Sequence, residues 1–338
     1  MGQHKTSGLF RRGKYWHYDK QIDGMRLRGT TKETDRTKAE YYLAHVIEEF
    51  RQASVYGVRP DRTFNEAAEK FIRENQHKRS IKSDEGRLKQ LLPWIGTIPI
   101  ARLHRGKLDP WVKYRIKEGV SPGTINHGLK VVRHILNLAA SDWIDEFGLT
   151  WLATAPKIRL LPDENKRRPY PLNWEEQDRL IAALPPHLQR MALFMVNTGC
   201  RDAEVCGLRW DYENPIPGAD ASLFVIPGAR VKNGKDRLVV LNDIAKSIIE
   251  ERRGKHSDFV FTYRGGPIKR MNNSGWIRAR NEAGLPHLRV HDLKHTLGAR
   301  LRSVGVSLED REDMLGHFAK RMTTHYSTPN VLALIGQA

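Results

Sequence analysis

The chain has 338 residues, of which 39% are hydrophobic and 28% are charged, a balance that excludes a wholly disordered protein. Lys and Arg outnumber Asp and Glu by 57 to 39, which gives a formal net charge of +18. The basic excess extends over the whole chain, and this favours several folded surfaces that each approach the phosphates of a nucleic acid. A generally solubilising charge is the alternative.

The cysteine content bears on the cellular compartment. Cys200 and Cys206 are the only two cysteines, which is too few for a disulfide framework, and their charged neighbours do not suit a zinc site. No apolar run reaches the length of a membrane span, and the start of the chain lacks the apolar core of a signal peptide. We therefore expect reduced thiols, no membrane partner and a cytoplasmic location.

The N-terminal segment predicts a small module of strands and one helix. Residues 9 to 31 alternate between apolar and polar side chains, with Asp23-Gly24 as a tight turn. A helix is expected from about residue 38 to 55, starting at a capping box of Thr37 and Glu40. Four large side chains recur at helical spacing and are expected to face the strands: Tyr42, Val46, Ile47 and Phe50.

The next segment, from Thr63 to about Trp143, has a helical pattern throughout. Ser121-Pro122 starts its clearest helix. Apolar stripes at helical spacing are expected to form its core: Phe64, Ala67, Ala68, Phe71 and Ile72; Leu88, Leu91, Leu92 and Trp94; Ile125, Leu129, Val132, Ile135, Leu136 and Ala139. A basic, all-helical domain follows from this pattern.

The length of the chain favours two or three domains. Prolines and charges without periodicity predict an exposed linker at residues 156–171. Two helices are expected beyond it, near residues 174–184 and 187–197. A strand pair then follows at Leu223–Ile226 and Arg237–Leu241, with Asn233-Gly234 as its two-residue turn.

The first chemical motif is TGCRDAEVCGLRW, residues 198–210. Arg201 and Glu204 stand three apart at the start of a predicted helix, which puts both on one face. An arginine beside a helix N-terminus is a good phosphate clamp, since guanidinium and free backbone amides point the same way. A surface ion pair is the structural alternative.

The predicted hairpin VKNGKDRLVVL, residues 231–241, places Lys232 and Lys235 on either side of its turn. A lysine there can reach into a DNA groove and protonate a leaving oxygen. Hairpin tips are, however, often basic merely because they are solvated.

The motif HDLKHTLGARLRSVG, residues 291–305, belongs to a helix. Four of its residues fan across one polar sector beside the buried face: His291, Lys294, His295 and Gly298. Gly298 would let another backbone or a phosphate come close. A zinc pair of His291 and His295 is the alternative, although the glutamate of the metalloprotease pattern is absent.

The last motif is MLGHFAKRMTTHYST, residues 314–328, in which His317 precedes Tyr326 by nine residues. A lone tyrosine would be taken as structural. The preceding motifs, however, offer what attack by a tyrosyl oxygen on a phosphodiester requires, namely positive charge for the non-bridging oxygens and a proton for the leaving oxygen.

The order and spacing of these motifs resemble the active-site set of the tyrosine recombinases of the phage integrase type. The matching positions are Arg201, Glu204, Lys232, the box from His291 to His295, Leu315-Gly316-His317 and Tyr326. The resemblance implies a multidomain fold that is mainly α with small β-sheets. It assigns residues 1–57 to an arm-type DNA-binding module, 62–155 to an all-helical core-binding domain and 172–338 to an α+β catalytic domain.

The resemblance also implies a reaction. Tyr326 would attack a scissile phosphate, leaving a 3′-phosphotyrosine and a free 5′-hydroxyl, without metal, ATP or other cofactor. The implied roles are phosphate binding or proton coupling for Arg201, His291, Lys294 and His317, general acid for Lys232 or less favourably Lys235, and support for Glu204 and His295. Lys294 stands where the family has its second active-site arginine. It keeps the charge but loses the bidentate fork.

The implied partner is double-stranded DNA with core-type and arm-type attachment sites. Four protomers on two DNA sites would exchange strands for integration and excision, with an accessory DNA-bending protein or excisionase. Two other functions stay open: a type IB topoisomerase with the same tyrosine chemistry, and a catalytically impaired DNA-binding regulator.

Overall fold

The computed structural model describes residues 7–22, 24–145, 148–163, 167–216 and 221–316, together with Leu334 and Gly336. The chain divides into two compact units, Met1–Lys166 and Arg167–Ala338. Helices dominate both units, and the sheets are small. No described helix is long and apolar enough to cross a membrane.

Unit 1 begins with an antiparallel sheet of three strands in sequential order, β1 (Leu9–Arg12), β2 (Tyr15–Ile22) and β3 (Met25–Thr30). Ile22 pairs with Met25, which leaves a two-residue connection. Gly24 has a φ of +80°, the left-handed conformation that such a turn requires. The predicted strands and the position of their turn are thus confirmed.

Helix α1 (Arg36–Ser54) packs on this sheet but starts earlier than the sequence indicates. Its N-cap is Asp35, whose carboxylate accepts a hydrogen bond from the backbone N–H of Lys38 at 2.9 Å. The predicted capping box of Thr37 and Glu40 is therefore wrong, because Asp is a strong N-cap two residues upstream. The buried stripe is shifted accordingly and consists of Ala39, Leu43, Phe50 and Ala53. Of the four side chains expected there, only Phe50 is buried, and Tyr42 is exposed.

The rest of unit 1 is helical, as predicted. Its helices are α2 (Phe64–Glu74), α3 (Ile81–Ile95), α4 (Arg105–Lys117) and α5 (Pro122–Ser141). The Ser121 side chain caps α5, and all six residues predicted for its inner face are buried. Trp94 departs from the predicted stripe, since it is exposed and lies against Tyr114 with ring centroids 5.3 Å apart.

Unit 2 consists of short helices and strands around a core centred on α7. Those described are α6 (Trp174–Ala183), α7 (Pro186–Thr198), α8 (Asp202–Cys206), β4 (Glu213–Pro215), β5 (Ser222–Ile226), β6 (Arg237–Val239), α9 (Asp243–Arg252), β7 (Thr262–Tyr263), β8 (Gly266–Pro267), α10 (Ser274–Glu282), α11 (Val290–Ser303) and α12 (Leu308–Leu315). Helix α7 packs against both α9 and α11. This packing brings the first and third chemical motifs into one neighbourhood.

The connection between β5 and β6 differs from the predicted hairpin. Ile226 pairs with Arg237, so residues 227–236 form a loop that includes a 3₁₀ turn, and Asn233-Gly234 is only one bend within it. The loop folds on itself, since the Asp236 carboxylate accepts a hydrogen bond from the Gly228 N–H at 2.7 Å. The prediction of a two-residue turn is therefore wrong. The Asn-Gly signal locates a bend but does not fix how much chain precedes it.

Candidate active site

Arg201 lies where α7 ends and α8 begins. Gly199 has a φ of +64° and turns the chain between the helices, and Arg201 is the N-cap residue of α8. Its Nη1 donates to Oε1 of Glu204 at 2.7 Å, and its backbone N–H donates to Oε2 at 2.8 Å. The predicted pairing on one face is confirmed, and the side chain of Arg201 keeps 22% of its surface exposed.

Glu204 is buried and is shared with a second arginine. The Nε of Arg237 lies 3.2 Å from Oε2 of Glu204, and both side chains are almost fully buried. Burial disfavours the charged carboxylate, yet the charge of Arg237 and the hydrogen bonds from Arg201 hold the pKa of Glu204 below its ordinary value. Glu204 therefore acts as the common anchor of two guanidinium groups.

Arg237 was not among the predicted site residues. It is the first residue of β6 and is followed by apolar residues. The signal that could have found it is a single arginine at an inward-facing position of an otherwise apolar strand, because a buried charge needs a partner.

The two histidines of α11 lie at the exposed edge of the site. The rings of His291 and His295 are in edge-to-face contact with centroids 4.7 Å apart. Burial lowers the pKa of His291, and the positive charges of Lys294 and Arg201 lower it further. These charges act on His291 only because the three residues lie close together, as the sequence predicts. Within the described parts of the chain, no three His, Cys, Asp or Glu side chains are close enough to share a metal ion.

Lys294 points into the protein, whereas the two histidines are partly exposed. Its side chain is buried, and its Nζ donates to the backbone carbonyl of Leu315. Desolvation by burial lowers its pKa to about 7, and the nearby charges of Arg237 and Arg201 contribute. The predicted polar sector is therefore divided, with the histidines outward and Lys294 inward.

Gly298 of the third motif packs against Leu315 at the end of α12. A Cβ at Gly298 would lie 3.1 Å from Cδ1 of Leu315, and one at Gly199 would lie 2.7 Å from its Cδ2. Gly298 thus permits the close approach expected of it, although the group that approaches is the Leu315 side chain. Gly316 ends α12 in the left-handed conformation, with a φ of +58°.

Of the remaining predicted residues, Lys235 lines a cavity together with Arg237, Met314 and Gly316. Lys232 and Lys235 are exposed in the loop between β5 and β6, and none of the described contacts connects Lys232 with Arg201 or His291. His317 and Tyr326 lie outside the described residues. Of the fourth motif, the structure describes Met314, Leu315 and Gly316.

A second surface of interest is the outer face of the β1–β3 sheet. Direct cross-strand partners share a face, so the register places aromatic and basic residues together on the side opposite α1. They are Phe10, Arg12, Tyr15, His17, Arg26 and Arg28. Basic residues interleaved with aromatic ones suit a nucleic-acid surface.

Known proteins resemble this chain in sequence. The model of the phage integrase family matches residues 172–331. The integrase of Salmonella phage P22 is 24% identical over 369 residues, which cover 96% of this chain and 92% of that protein. The tyrosine recombinase XerA of Thermococcus kodakarensis is 28% identical over 186 residues, which cover 51% of this chain and 63% of that protein.

Solved structures share the fold. A lambda integrase dimer bound to a COC′ core site matches with a TM-score of 0.59 and 16% identity over 96% of both chains. The Tn1549 transposon integrase in complex with circular intermediate DNA matches with a TM-score of 0.60 and 18% identity over 80% of this chain and 97% of that one. Residues 172–331, which include the Arg201–Glu204 pair and the His291 box, thus match the phage integrase family, and the similarity to integrases along the chain indicates a site-specific DNA recombinase.

Proposed function

We propose that this recombinase integrates and excises a mobile DNA element through a covalent 3′-phosphotyrosine intermediate formed by Tyr326. The observation that carries the proposal is the convergence of Arg201 and His291 beside the end of α12, one residue before His317. The tyrosyl oxygen would form a bond to phosphorus, and the bond from phosphorus to the 5′ oxygen would break. The free 5′-hydroxyl of a partner strand would then reverse the step.

The site residues divide into charge stabilisers and proton carriers. Arg201 would bind the non-bridging oxygens, because part of its guanidinium is exposed while Glu204 fixes its orientation. A histidine with a lowered pKa is mostly neutral near pH 7 and can accept the tyrosyl proton, which suits His291 with support from His317. Lys232, in an exposed loop, would protonate the leaving 5′ oxygen, with Lys235 as the alternative.

The domain roles follow the same scheme. Residues 1–57 would bind arm-type sites through the outer face of the sheet, 62–155 would bind the core site, and 172–338 would catalyse, with residues 156–171 as the linker. Support comes from the match to the P22 integrase over nearly the whole chain. Lambda integrase forms a tetramer on a Holliday junction, and we propose the same assembly here. Action on a host chromosome would place the protein in the bacterial cytoplasm, with accessory DNA-bending proteins.

Tyr326→Phe tests this function. The variant should bind a core-site duplex like the parent protein and form no covalent adduct with a nicked suicide substrate, because only the phenolic oxygen is lost. The attachment sites are obtained by sequencing the DNA junctions that flank the gene in its host. An adduct formed by the variant would move the nucleophile elsewhere. Absence of adduct with the parent would leave a DNA-binding regulator, and relaxation of plasmids without a specific site would indicate a topoisomerase.

A further inference from the structure

The C-terminal end of α12 is held by three cationic side chains. Three successive backbone carbonyls each accept a hydrogen bond from a different cation: Met314 from Arg237 at 3.1 Å, Leu315 from Lys294, and Gly316 from Arg201 at 3.2 Å. The last carbonyls of a helix have no partner within the helix, and its C-terminal end carries partial negative charge. Cations are therefore the natural ligands of this end.

The same helix end is fixed by packing. The Leu315 side chain lies against Gly199 and Gly298, since a Cβ would come within 2.7 Å of it at Gly199 and within 3.1 Å at Gly298. The guanidinium of Arg237 lies directly on Gly316, so that a Cβ there would overlap Nη1. Met314 and Leu315 are buried in a cluster with Leu297 and Leu301 of α11. Hydrogen bonds and packing thus converge on residues 314–316.

Arg237 also binds the segment that leads to Arg201. Its Nη2 donates to the carbonyl of Thr198 at 3.2 Å as well as to that of Met314. One buried guanidinium therefore connects the end of α7, the anchor Glu204 and the end of α12. Neither Arg237 nor Lys294 is open to a DNA phosphate in this arrangement, because both side chains are almost fully buried.

We propose that Arg237 and Lys294 are positioning residues for strand cleavage, which together with Arg201 clamp the carbonyls of residues 314–316 and so fix the point from which the chain continues to His317 and Tyr326. This proposal rests on the function proposed above. It replaces the expectation that Lys294 touches the phosphate itself. Arg201 differs from the other two because it is partly exposed and can serve both the clamp and the phosphate.

The first test measures single-turnover cleavage of a nicked core-site duplex by the full chain at saturating protein. Lys294→Met and Arg237→Gln should each reduce the rate about a hundredfold, the effect of misplacing a reacting group by about 1 Å, with binding of the duplex within about twofold of the parent. Arg252→Gln is the matched control, since Arg252 also donates to a backbone carbonyl, that of Val260, and this variant should cleave like the parent. A parent-like rate for Arg237→Gln would overturn the proposal.

A second substrate separates positioning from direct phosphate contact. Replacing the scissile phosphate by a neutral methylphosphonate removes the charge that a contacting cation would neutralise. A positioning residue is needed equally on both substrates, so the ratio of parent to Lys294→Met rates should stay the same. Collapse of this ratio on the methylphosphonate would show that Lys294 contacts the phosphate, and would overturn the proposal while leaving the tyrosine chemistry intact.

A third measurement does not depend on activity. In the absence of DNA, amide hydrogen exchange of the peptide covering residues 308–316 should be faster in Lys294→Met and Arg237→Gln than in the parent. The reason is that each variant loses one of the hydrogen bonds that hold the end of α12. Peptides from α9 should be unchanged. Should Arg237→Gln fail to fold, Arg237→Lys serves instead, since one ammonium keeps the charge but reaches fewer acceptors. It should cleave about tenfold more slowly, again through misplacement of the reacting group. Unchanged exchange at residues 308–316 would overturn the proposal.

Discussion

The ammonium group of Lys294 is buried beside two guanidinium groups, those of Arg201 and Arg237, and beside the carboxylate of Glu204 and the thiol of Cys200. A lysine is better suited to this place than an arginine in one respect. Its slim, flexible stem delivers a single charge to the Leu315 carbonyl, whereas a planar fork needs room for several acceptors. The lysine therefore fits an inward-facing role.

The buried Lys294 predicts a specific pH dependence of stability. Its folded-state pKa of about 7 lies below the ordinary 10.5, so between these values the unfolded chain binds more protons and the free energy of unfolding rises with pH. Between about pH 7.5 and 8.5 the parent should gain about 1 kcal/mol per pH unit relative to Lys294→Met. Urea unfolding of both proteins at several pH values measures the difference.

Other titrating groups do not obscure this comparison. Burial lowers the pKa values of His291 and His295, so both are already neutral in that pH range, and it raises the pKa of the Cys200 thiol, which stays protonated. Parallel curves for the parent and Lys294→Met would mean that Lys294 keeps its ordinary pKa in the folded protein.

Which site residues could be predicted depended on local spacing. Arg201 and Glu204 stand three residues apart at the start of α8, and His291 and Lys294 stand three residues apart in α11. A three-residue period was therefore enough to predict that the members of each pair lie close together. Arg237 could not be found in this way, because its partners Thr198, Glu204 and Met314 are distant in the sequence. The inward direction of Lys294 likewise depends on Leu315, a contact that no local pattern encodes.

Helices α5 and α1 show when the start and the buried face of a helix can be predicted from the sequence. The α5 prediction was confirmed because Ser121, Pro122 and an apolar stripe agree. In α1 two capping candidates compete within three residues, and the side chain with the better cap geometry, Asp35, determines the start. The faces that helices bury were thus predictable where signals coincide and shifted where they compete.

Two helical glycines in unit 1 differ in how closely they are packed, so their replacement by alanine should have opposite effects on stability. A Cβ at Gly128 would lie 2.6 Å from Cη2 of the buried Trp111, whereas one at Gly86 in α3 would meet nothing within 4 Å. Gly128→Ala should destabilise by about 1–3 kcal/mol through overpacking. Gly86→Ala should stabilise by up to about 1 kcal/mol through helix propensity. Denaturant unfolding measures both, and equal shifts would contradict the tight packing against Trp111.

Basic residues cluster on one surface of the N-terminal module. The outer face of the β1–β3 sheet combines three arginines with aromatic rings, and Phe10 stacks on His17 with centroids 5.9 Å apart. Asp19 binds Arg26 at 2.6 Å and lies farther from Arg28, at 4.0 Å. Arg12 and Arg28 are therefore the better candidates for binding phosphates on this face.

Replacing Arg12 and Arg28 by Ala should weaken binding to a long attachment-site duplex but leave cleavage of a short core-site substrate unchanged. For each phosphate that the variant no longer neutralises, the slope of log K against log salt should fall by about 1. Arg51→Ala, on the exposed side of α1, is the control for removal of a positive charge alone. If core-site cleavage by the double variant fell as much as its binding to the long duplex, this face would not serve a separate class of DNA site.

The packing of Leu315 against Gly199 and Gly298 joins three segments that are far apart in the sequence. A smaller residue at 315 would open a void, and a Cβ at Gly298 would press on Cδ1 of Leu315 at 3.1 Å. The residue sizes at positions 298 and 315 are therefore expected to change together. A smaller residue at 315 would make room for a Cβ at 298, whereas position 199 stays glycine because of its φ of +64°. Covariation of positions 298 and 315 would therefore report the packing of α12 independently of any catalytic residue.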